Sequence, residues 1–444
     1  MAQITLTQSA STLGRAIEAG QLDPRDLTEA YLSVAESHQF RDRIFTMLTP
    51  MRARAEAQAA SQRARSGLRR SPLDGVPISW KDLFDTAGYP TEGGSALLKG
   101  RIPRTDAEVL QNAARAGLVL LGKTHMTELA FSGLGINPIT ATPPNFNDPE
   151  LAPGGSSSGA ATSVAFGLAA AAIGSDTGGS VQGPAAWNNL VGLKTSTGWL
   201  SLQGVLPLCP SFDTVGPLTR SVEDAAVLAC ILAGEKMPDL TPPTLKGRHF
   251  IVCTTVLLDD LREQPRQAFE SALDQMKRAG ASIEMRSFPE VSEVIALTGA
   301  RYVVEAWTSW HRLIEANPEA MFAPIRNRFR SGADFTAAEH AESRIALEHL
   351  SRSFWQGAAG ADGILMPTSP ILPPNAARLL ADPDFFTSEG VLGLRNTRVA
   401  NMLGACALTL PTGTPACGIS IIAARNQDIA LSRLGITVQA ALAN

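Results

Sequence analysis

One lysine and two serines, each beside glycine, are the residues of this chain best suited to covalent chemistry. A serine hydroxyl attacks a carbonyl only when a nearby base removes its proton. A lysine can be that base once burial disfavours its ammonium form. Lys81 follows Gly75-Val76-Pro77-Ile78-Ser79-Trp80, which reads as a strand ending in the lysine. Ser156 lies in Gly154-Gly155-Ser156-Ser157-Ser158-Gly159, and Ser180 ends Thr177-Gly178-Gly179-Ser180. Consecutive glycines let several backbone N–H groups face one point, which is how an oxyanion is held without side chains. Each piece alone is ordinary, since a Gly-Gly-Ser is usually a turn and a lysine after a strand is usually a surface charge. The combination, in the order Lys81, Ser156, Ser180, suggests acyl transfer.

Other chemistries find little support. The six histidines are His38, His125, His249, His311, His340 and His349. None has HExxH spacing or a Cys/His cluster, so no metal is expected. No GK[ST] follows the 154–159 loop at the Walker A offset, and no organic or nucleotide cofactor is expected. The five cysteines, Cys209, Cys230, Cys253, Cys406 and Cys417, include no CxxC pair, which argues against a zinc site or a disulfide scaffold.

The elements that must position these residues read as α/β. Leu13, Ile17, Leu22, Leu27, Tyr31 and Val34 recur at near-helical spacing, predicting helix over 9–66. Residues 51–70 carry Arg52, Arg54, Arg63, Arg65, Arg69 and Arg70 without interleaved aromatics, the pattern of a solvated helix face rather than a phosphate-binding patch. Strands are expected at 75–82, 118–123, 172–176, 249–255 and 363–368. Helices are expected at 107–116, 160–170 and 265–280, and over most of 299–355. Such alternation predicts a sheet covered on both faces. Residues 234–247, with Gly234, Pro238, Pro242, Pro243 and Gly247, read as a surface linker.

Bulk properties agree with an ordinary globular protein. Of 444 residues 44% are hydrophobic and 18% charged, which excludes a mostly disordered chain. The net charge of −4 provides no global field for nucleic acid or acidic lipid. Ala160–Ile173 is shorter than the roughly 20 apolar residues a membrane span needs. Met1–Ala10 lacks the charged-then-apolar pattern of a signal peptide, so a reduced cytoplasmic setting is expected.

The set of matches is wider than the three chemical residues. Ala152-Pro153-Gly154-Gly155-Ser156-Ser157-Ser158-Gly159 and Gly174-Ser175-Asp176-Thr177-Gly178-Gly179-Ser180 carry it most densely. Leu73–Pro77 before Lys81-Asp82, Gly122–Glu128, Pro184–Ala186, Val191–Lys194, Ser211–Pro217 and Met366–Pro370 continue it. Through these segments the chain strongly resembles the amidase signature family, hydrolases with a Ser-cisSer-Lys triad. The resemblance implies an amidase signature fold with a large mixed central β-sheet covered by helices. Residues 1–70 would form a helical N-terminal arm packed on one continuous catalytic domain, 71–444.

By the same resemblance Ser180 is the nucleophile of an acyl-enzyme, Ser156 the bridging serine after a cis peptide bond, and Lys81 the base. The N–H groups of Thr177, Gly178, Gly179 and Ser180 would form the oxyanion hole. The implied reaction hydrolyses a linear C–N amide bond of a small molecule to carboxylate plus ammonia or amine. Asp176, Ser157 and Gln182 would support the loop, with Ser158 satisfying polar partners there. Lys194 reads as structural. Trp187 reads either as core or as a wall of the acyl pocket, and Trp80 as packing or as an aid to desolvating Lys81. Three positions depart from the family pattern: Gln182 replaces an arginine that usually pairs with the aspartate at 176, Ser158 replaces a glycine, and Thr195 a proline. Two alternatives accompany this reading: the A subunit of glutamyl-tRNA(Gln) amidotransferase, which passes ammonia to a partner, and a non-catalytic binding protein on the same scaffold. A homodimer is left open.

Overall fold

The computed structural model describes residues 5–443, so the start of the stretch read as leader-free, Met1–Ala10, lies outside them. Among the described residues eleven strands form one sheet: β1 Phe45–Leu48, β2 Pro77–Lys81, β3 Val119–Thr124, β4 Ala171–Asp176, β5 Val191–Lys194, β6 Thr214–Thr219, β7 His249–Cys253, β8 Ser282–Arg286, β9 Gly363–Pro367, β10 Cys406–Pro411 and β11 Gly418–Ala423. Their order is β1-β3-β2-β4-β6-β5-β10-β11-β9-β7-β8. β2 runs parallel to β3 and β4, and β7 parallel to β8 and β9, whereas β4–β6 and β10–β11 are antiparallel. The sheet is therefore mixed, as expected. Every residue of β2, β3, β4, β5, β6 and β9 is buried. That burial explains why these segments read as continuous apolar runs rather than alternating ones.

The N-terminal region departs from the expected run of helix. Helices Ala10–Glu18, Pro24–Ser37, Arg41–Ile44 and Pro50–Arg65 are interrupted by β1, which pairs antiparallel with β3 and ends the sheet. Of Phe45-Thr46-Met47-Leu48 only the first two favour a strand, and Pro50, at the first turn of the following helix, forces a new helix start there. Leu13, Ile17, Leu27 and Tyr31 are buried as their spacing predicts, but Val34 is exposed. The arginine-rich helix is ion-paired rather than merely solvated. Arg52 meets Glu56 and Asp106, Arg54 meets Glu29, Arg63 meets Asp74, and Arg65 meets Asp23.

Toward the C-terminus lies a helix outside the expected elements, Arg395–Met402, whose eight residues are all buried. Its amide and hydroxyl side chains find partners one by one, Asn396 in the Leu257 and Pro367 carbonyls, Thr397 in the Gly178 carbonyl and Asn401 in Asp176, while Val399, Ala400 and Met402 join the core. The helix expected over 160–170 is Ser158–Ala165. Three helices, Thr298–Ala316, Ala323–Arg330 and Ala337–Gly357, occupy the 299–355 stretch, with Trp310 buried and Trp307 and Trp355 partly so. Among the described residues no helix is long and apolar enough to cross a membrane.

Candidate active site

Strands β2 and β4 are parallel neighbours, so their C-terminal ends lie side by side. β2 ends in Lys81 and β4 in Ser175-Asp176, immediately before the Thr177–Ser180 loop. This is the edge of a parallel sheet where side chains leaving the strands converge. Lys81 Nζ lies 2.7 Å from Ser156 Oγ and 2.8 Å from Ser175 Oγ. All three residues are buried. The Gly155–Ser156 peptide bond is cis, as the resemblance implied.

Among the described residues no carboxylate contacts Lys81, although Asp82 follows it. Successive strand residues point to opposite faces, and Asp82 turns away to pair with Lys123 at 2.7 Å. Burial pushes the Lys81 pKa down to about 7, with Asp176 and Asp213 opposing that shift. A lysine in this setting is half neutral near pH 7, and its lone pair can accept a hydroxyl proton. Trp80, on the other face, stacks edge-on against Phe84 at 5.2 Å. It packs there, away from the Lys81 ammonium.

Asp176 organises the loop that presents Ser180. Its Oδ1 accepts from the Gly179 N–H at 2.8 Å, and its Oδ2 accepts from the Val181 N–H at 2.7 Å and the Gln182 N–H at 3.2 Å. Gln182 Nε2 adds a long contact of 3.4 Å, and Asn401 Nδ2 donates to Oδ1 at 2.8 Å. Gln182 therefore does reach Asp176, and a buried amide from the distant polar helix supplies the rest. Gly179 differs from the expectation in one respect, because its N–H is already taken by Asp176. Among the described residues the N–H groups of Thr177, Gly178 and Ser180 carry no hydrogen bond.

The remaining expected residues divide between loop support and core. Ser157 Oγ donates to the Ser175 carbonyl at 3.1 Å and accepts from the Ser175 N–H at 3.3 Å, tying the two loops together. The pentad Gly155–Gly159 has GxSxG spacing with Ser157 at its centre, but Ser157 Oγ is committed to backbone in this way. Ser158 Oγ is buried without a partner, contrary to its expected role. Lys194 Nζ donates to the Thr195 and Ala405 carbonyls, a structural arrangement. Trp187 is buried against Gly154 and Gly393 and is not among the residues lining the space beside Ser180. Gly117–Thr124 matches the GxxxxGK[ST] spacing of a phosphate loop, but six of its residues are strand β3. An extended, fully paired strand has no free N–H cradle for a phosphate.

Sequence reasoning missed Ser175, the second hydroxyl on Lys81, although it sits in a segment that carried the resemblance. It also missed Asp213, which accepts from Thr177 Oγ1 at 2.6 Å and from the Leu208 and Cys209 N–H groups. Ser180 opens onto a narrow space lined in part by Phe131, Ser132, Tyr302, Arg328 and Arg398. Ser132, Tyr302, Arg328 and Arg398 also line an adjoining cavity of about 550 Å³. These lining residues come from four separate stretches of chain. Nothing in their local sequence distinguishes them; Arg328 sits between Arg326 and Arg330, an ordinary surface-like run. Among the described residues no group of three or more His, Cys, Asp or Glu is placed to hold a metal ion.

A mixed α/β sheet whose central strands end in a buried lysine and two glycine-rich serine loops defines the amidase signature architecture. The chain belongs to the Amidase family, whose model matches residues 26–431. It is 31% identical to 2-amino-5-chloromuconic acid deaminase of Comamonas testosteroni, over 92% of this chain and 90% of that one. It is 30% identical to the A subunit of glutamyl-tRNA(Gln) amidotransferase from Chloroflexus aggregans, over 97% and 96%. A crystal structure of an amidase superposes with a TM-score of 0.89 at 30% identity, covering 98% of this chain and 99% of that one.

Proposed function

We propose that this chain hydrolyses a linear C–N amide bond of a small molecule to carboxylate plus ammonia or amine, through an ester on Ser180 Oγ. The observation that carries the reading is Lys81, fully buried with two hydroxyls as its near neighbours and no carboxylate contact. In this mechanism neutral Lys81 takes the Ser156 proton while Ser156 takes that of Ser180. Ser180 Oγ then attacks the amide carbonyl. The Ser156–Ser180 hydrogen bond is not made in the resting protein; catalytic hydrogen bonds often tighten only with substrate bound. The free N–H groups of Thr177, Gly178 and Ser180 receive the developing oxyanion, and Asp176 and Asp213 hold their loop. The relay runs backward to protonate the leaving amine, and water then cleaves the ester. No metal or organic cofactor enters the reaction.

The ion-paired arginines of the N-terminal helix support action on a small molecule rather than nucleic acid, since their charges are already matched. The protein would work in the cytoplasm, as a monomer or homodimer, with the N-terminal 1–70 segment part of one catalytic unit with 71–444. A second reading, the A subunit of an amidotransferase, is favoured by the near full-length match to that relative. The intact Lys81, Ser156 and Ser180 disfavour a non-catalytic role.

A fluorophosphonate probe followed by intact-mass measurement tests the nucleophile. One adduct is expected on the wild type and none on Ser180→Ala. An adduct that persists on Ser180→Ala rejects the assignment.

A further inference from the structure

Two arginines beside Ser180 have no anion. The Arg398 side chain makes no hydrogen bond or ion pair among the described residues, although the residue is only 7% exposed. Arg328 donates to the Phe131 carbonyl at 3.0 Å and lies over the Phe131 ring at 4.4 Å, again with no carboxylate. No Asp or Glu lines either the narrow space at Ser180 or the cavity beyond it. The Tyr302 hydroxyl, which lines the same space, is buried without a partner among the described residues. A Cβ built on Gly178 would stand 3.6 Å from Arg398 Cγ and 3.8 Å from Tyr302 Oη, so both groups sit directly behind the oxyanion loop.

Guanidinium keeps its proton under all ordinary conditions, and an unpaired buried charge is strongly unfavourable. Burial disfavours both cations, and at Arg328 the neighbouring Arg398 adds repulsion. Elsewhere in this chain half-buried arginines have carboxylates, as Arg52 and Arg63 have, or backbone carbonyls, as Arg220 and Arg43 have. Arg398, with neither kind of partner, and Arg328, with a single carbonyl, share the lining of a cavity walled by Val303, Pro324, Phe386 and Val391 with the Tyr302 donor hydroxyl, and together form a receptor for an anion attached to an apolar body. We propose that Arg398 and Arg328, with the Tyr302 hydroxyl, hold a carboxylate that the substrate carries beyond its scissile amide, so that the site takes anionic amides. The proposal rests on the hydrolase reading and names its substrate class. A carboxylate on the acyl side or on the leaving side satisfies the same chemistry.

Succinamate, with its carboxylate on the acyl side, and N-butyrylglycine, with its carboxylate on the leaving side, are compared with neutral butyramide. The wild type should favour one anionic amide over butyramide by roughly a hundredfold in kcat/KM, the scale of a charge pair at a buried site. Arg398→Gln and Arg328→Gln should each reduce that ratio at least tenfold, and Arg398→Lys should restore part of it. A neutral amide turned over as well as either anion, with the ratio unmoved in both variants, overturns the proposal. Calorimetric titration of succinate and glutarate into Ser180→Ala protein separates this from the hydrolase reading. Binding weakened at least tenfold by Arg398→Gln supports the anion site even where no amide is cleaved. Absence of dicarboxylate binding together with absence of anion preference rejects it. Should an arginine variant lose its thermal transition, Tyr302→Phe decides in its place, with an expected three- to tenfold loss of dicarboxylate affinity.

Discussion

Asn401 Nδ2 donates to Asp176 Oδ1 at 2.8 Å, joining residues 225 positions apart. Asp176 holds the loop that presents Ser180 through three backbone N–H groups, and its side-chain support comes from two amides, Gln182 and Asn401, where the resemblance implied an arginine. Both amides are neutral, so the Asp176 charge is balanced by N–H dipoles and remains available to oppose the fall in the Lys81 pKa.

Asn401→Leu removes the shorter of the two amide contacts while keeping the volume. A lost hydrogen bond to a buried charge costs about 1.5–3 kcal/mol, so kcat/KM should fall about ten- to a hundredfold with the fold retained by circular dichroism. Gln182→Arg should not raise activity, because Gln182 is fully buried and a longer side chain there overpacks by about 1–3 kcal/mol. A gain in rate for Gln182→Arg contradicts the view that Asn401 has replaced the usual partner.

The proposed role of Lys81 as base predicts a pH dependence of the rate in a defined direction. With its pKa near 7, the amine is protonated below that pH and free above it. The rate should climb through pH 6–8 and level off, and Lys81→Arg should be close to inactive. Stability should follow the same group. Between pH 7 and the ordinary lysine value of about 10.4 the unfolded chain binds the extra proton, so the Lys81 contribution to stability rises with pH there. Chemical denaturation of wild type and Lys81→Met at pH 7 and pH 9 checks the sign: the wild type should gain relative to the variant.

Two neighbouring glycines should respond differently to alanine. Gly179 has φ +123°, and a Cβ there would fall 2.0 Å from Thr397 Oγ1. Strain and overpacking together should cost on the order of 3 kcal/mol. The nearest atom to a Cβ on Gly178 is 3.6 Å away, an ordinary contact, so Gly178→Ala should cost under about 1 kcal/mol. Thermal unfolding of the pair tests this, and equal destabilisation would mean that the loop relaxes around either methyl.

Action as a stand-alone enzyme predicts ammonia release from a small amide without tRNA, ATP or a partner protein. Moderate salt should leave the rate nearly unchanged, because no phosphate contacts and their counterions are involved, and chelators should have no effect. A protein silent alone, but active once charged tRNA and the other amidotransferase components are supplied, replaces this reading with the amidotransferase one.

The sequence by itself determined the chemistry-bearing loops and the sheet that carries them. Lys81 at the end of an apolar run, the glycine–serine loops and the buried strands are written in contiguous residues, and contiguous patterns are what strand period and turn chemistry fix locally. Tertiary structure alone decided the rest, because it depends on contacts between distant segments. Strand β1 is a short segment that becomes a strand only by pairing with β3. The polar helix Arg395–Met402 is buried by partners more than a hundred residues away, such as Leu257 and Asp176. Whether an arginine is a surface charge or an unpaired cation beside Ser180 depends on which carboxylates the fold brings near it. Arg52 and Arg63 were given theirs, while Arg328 and Arg398 were left facing the cavity.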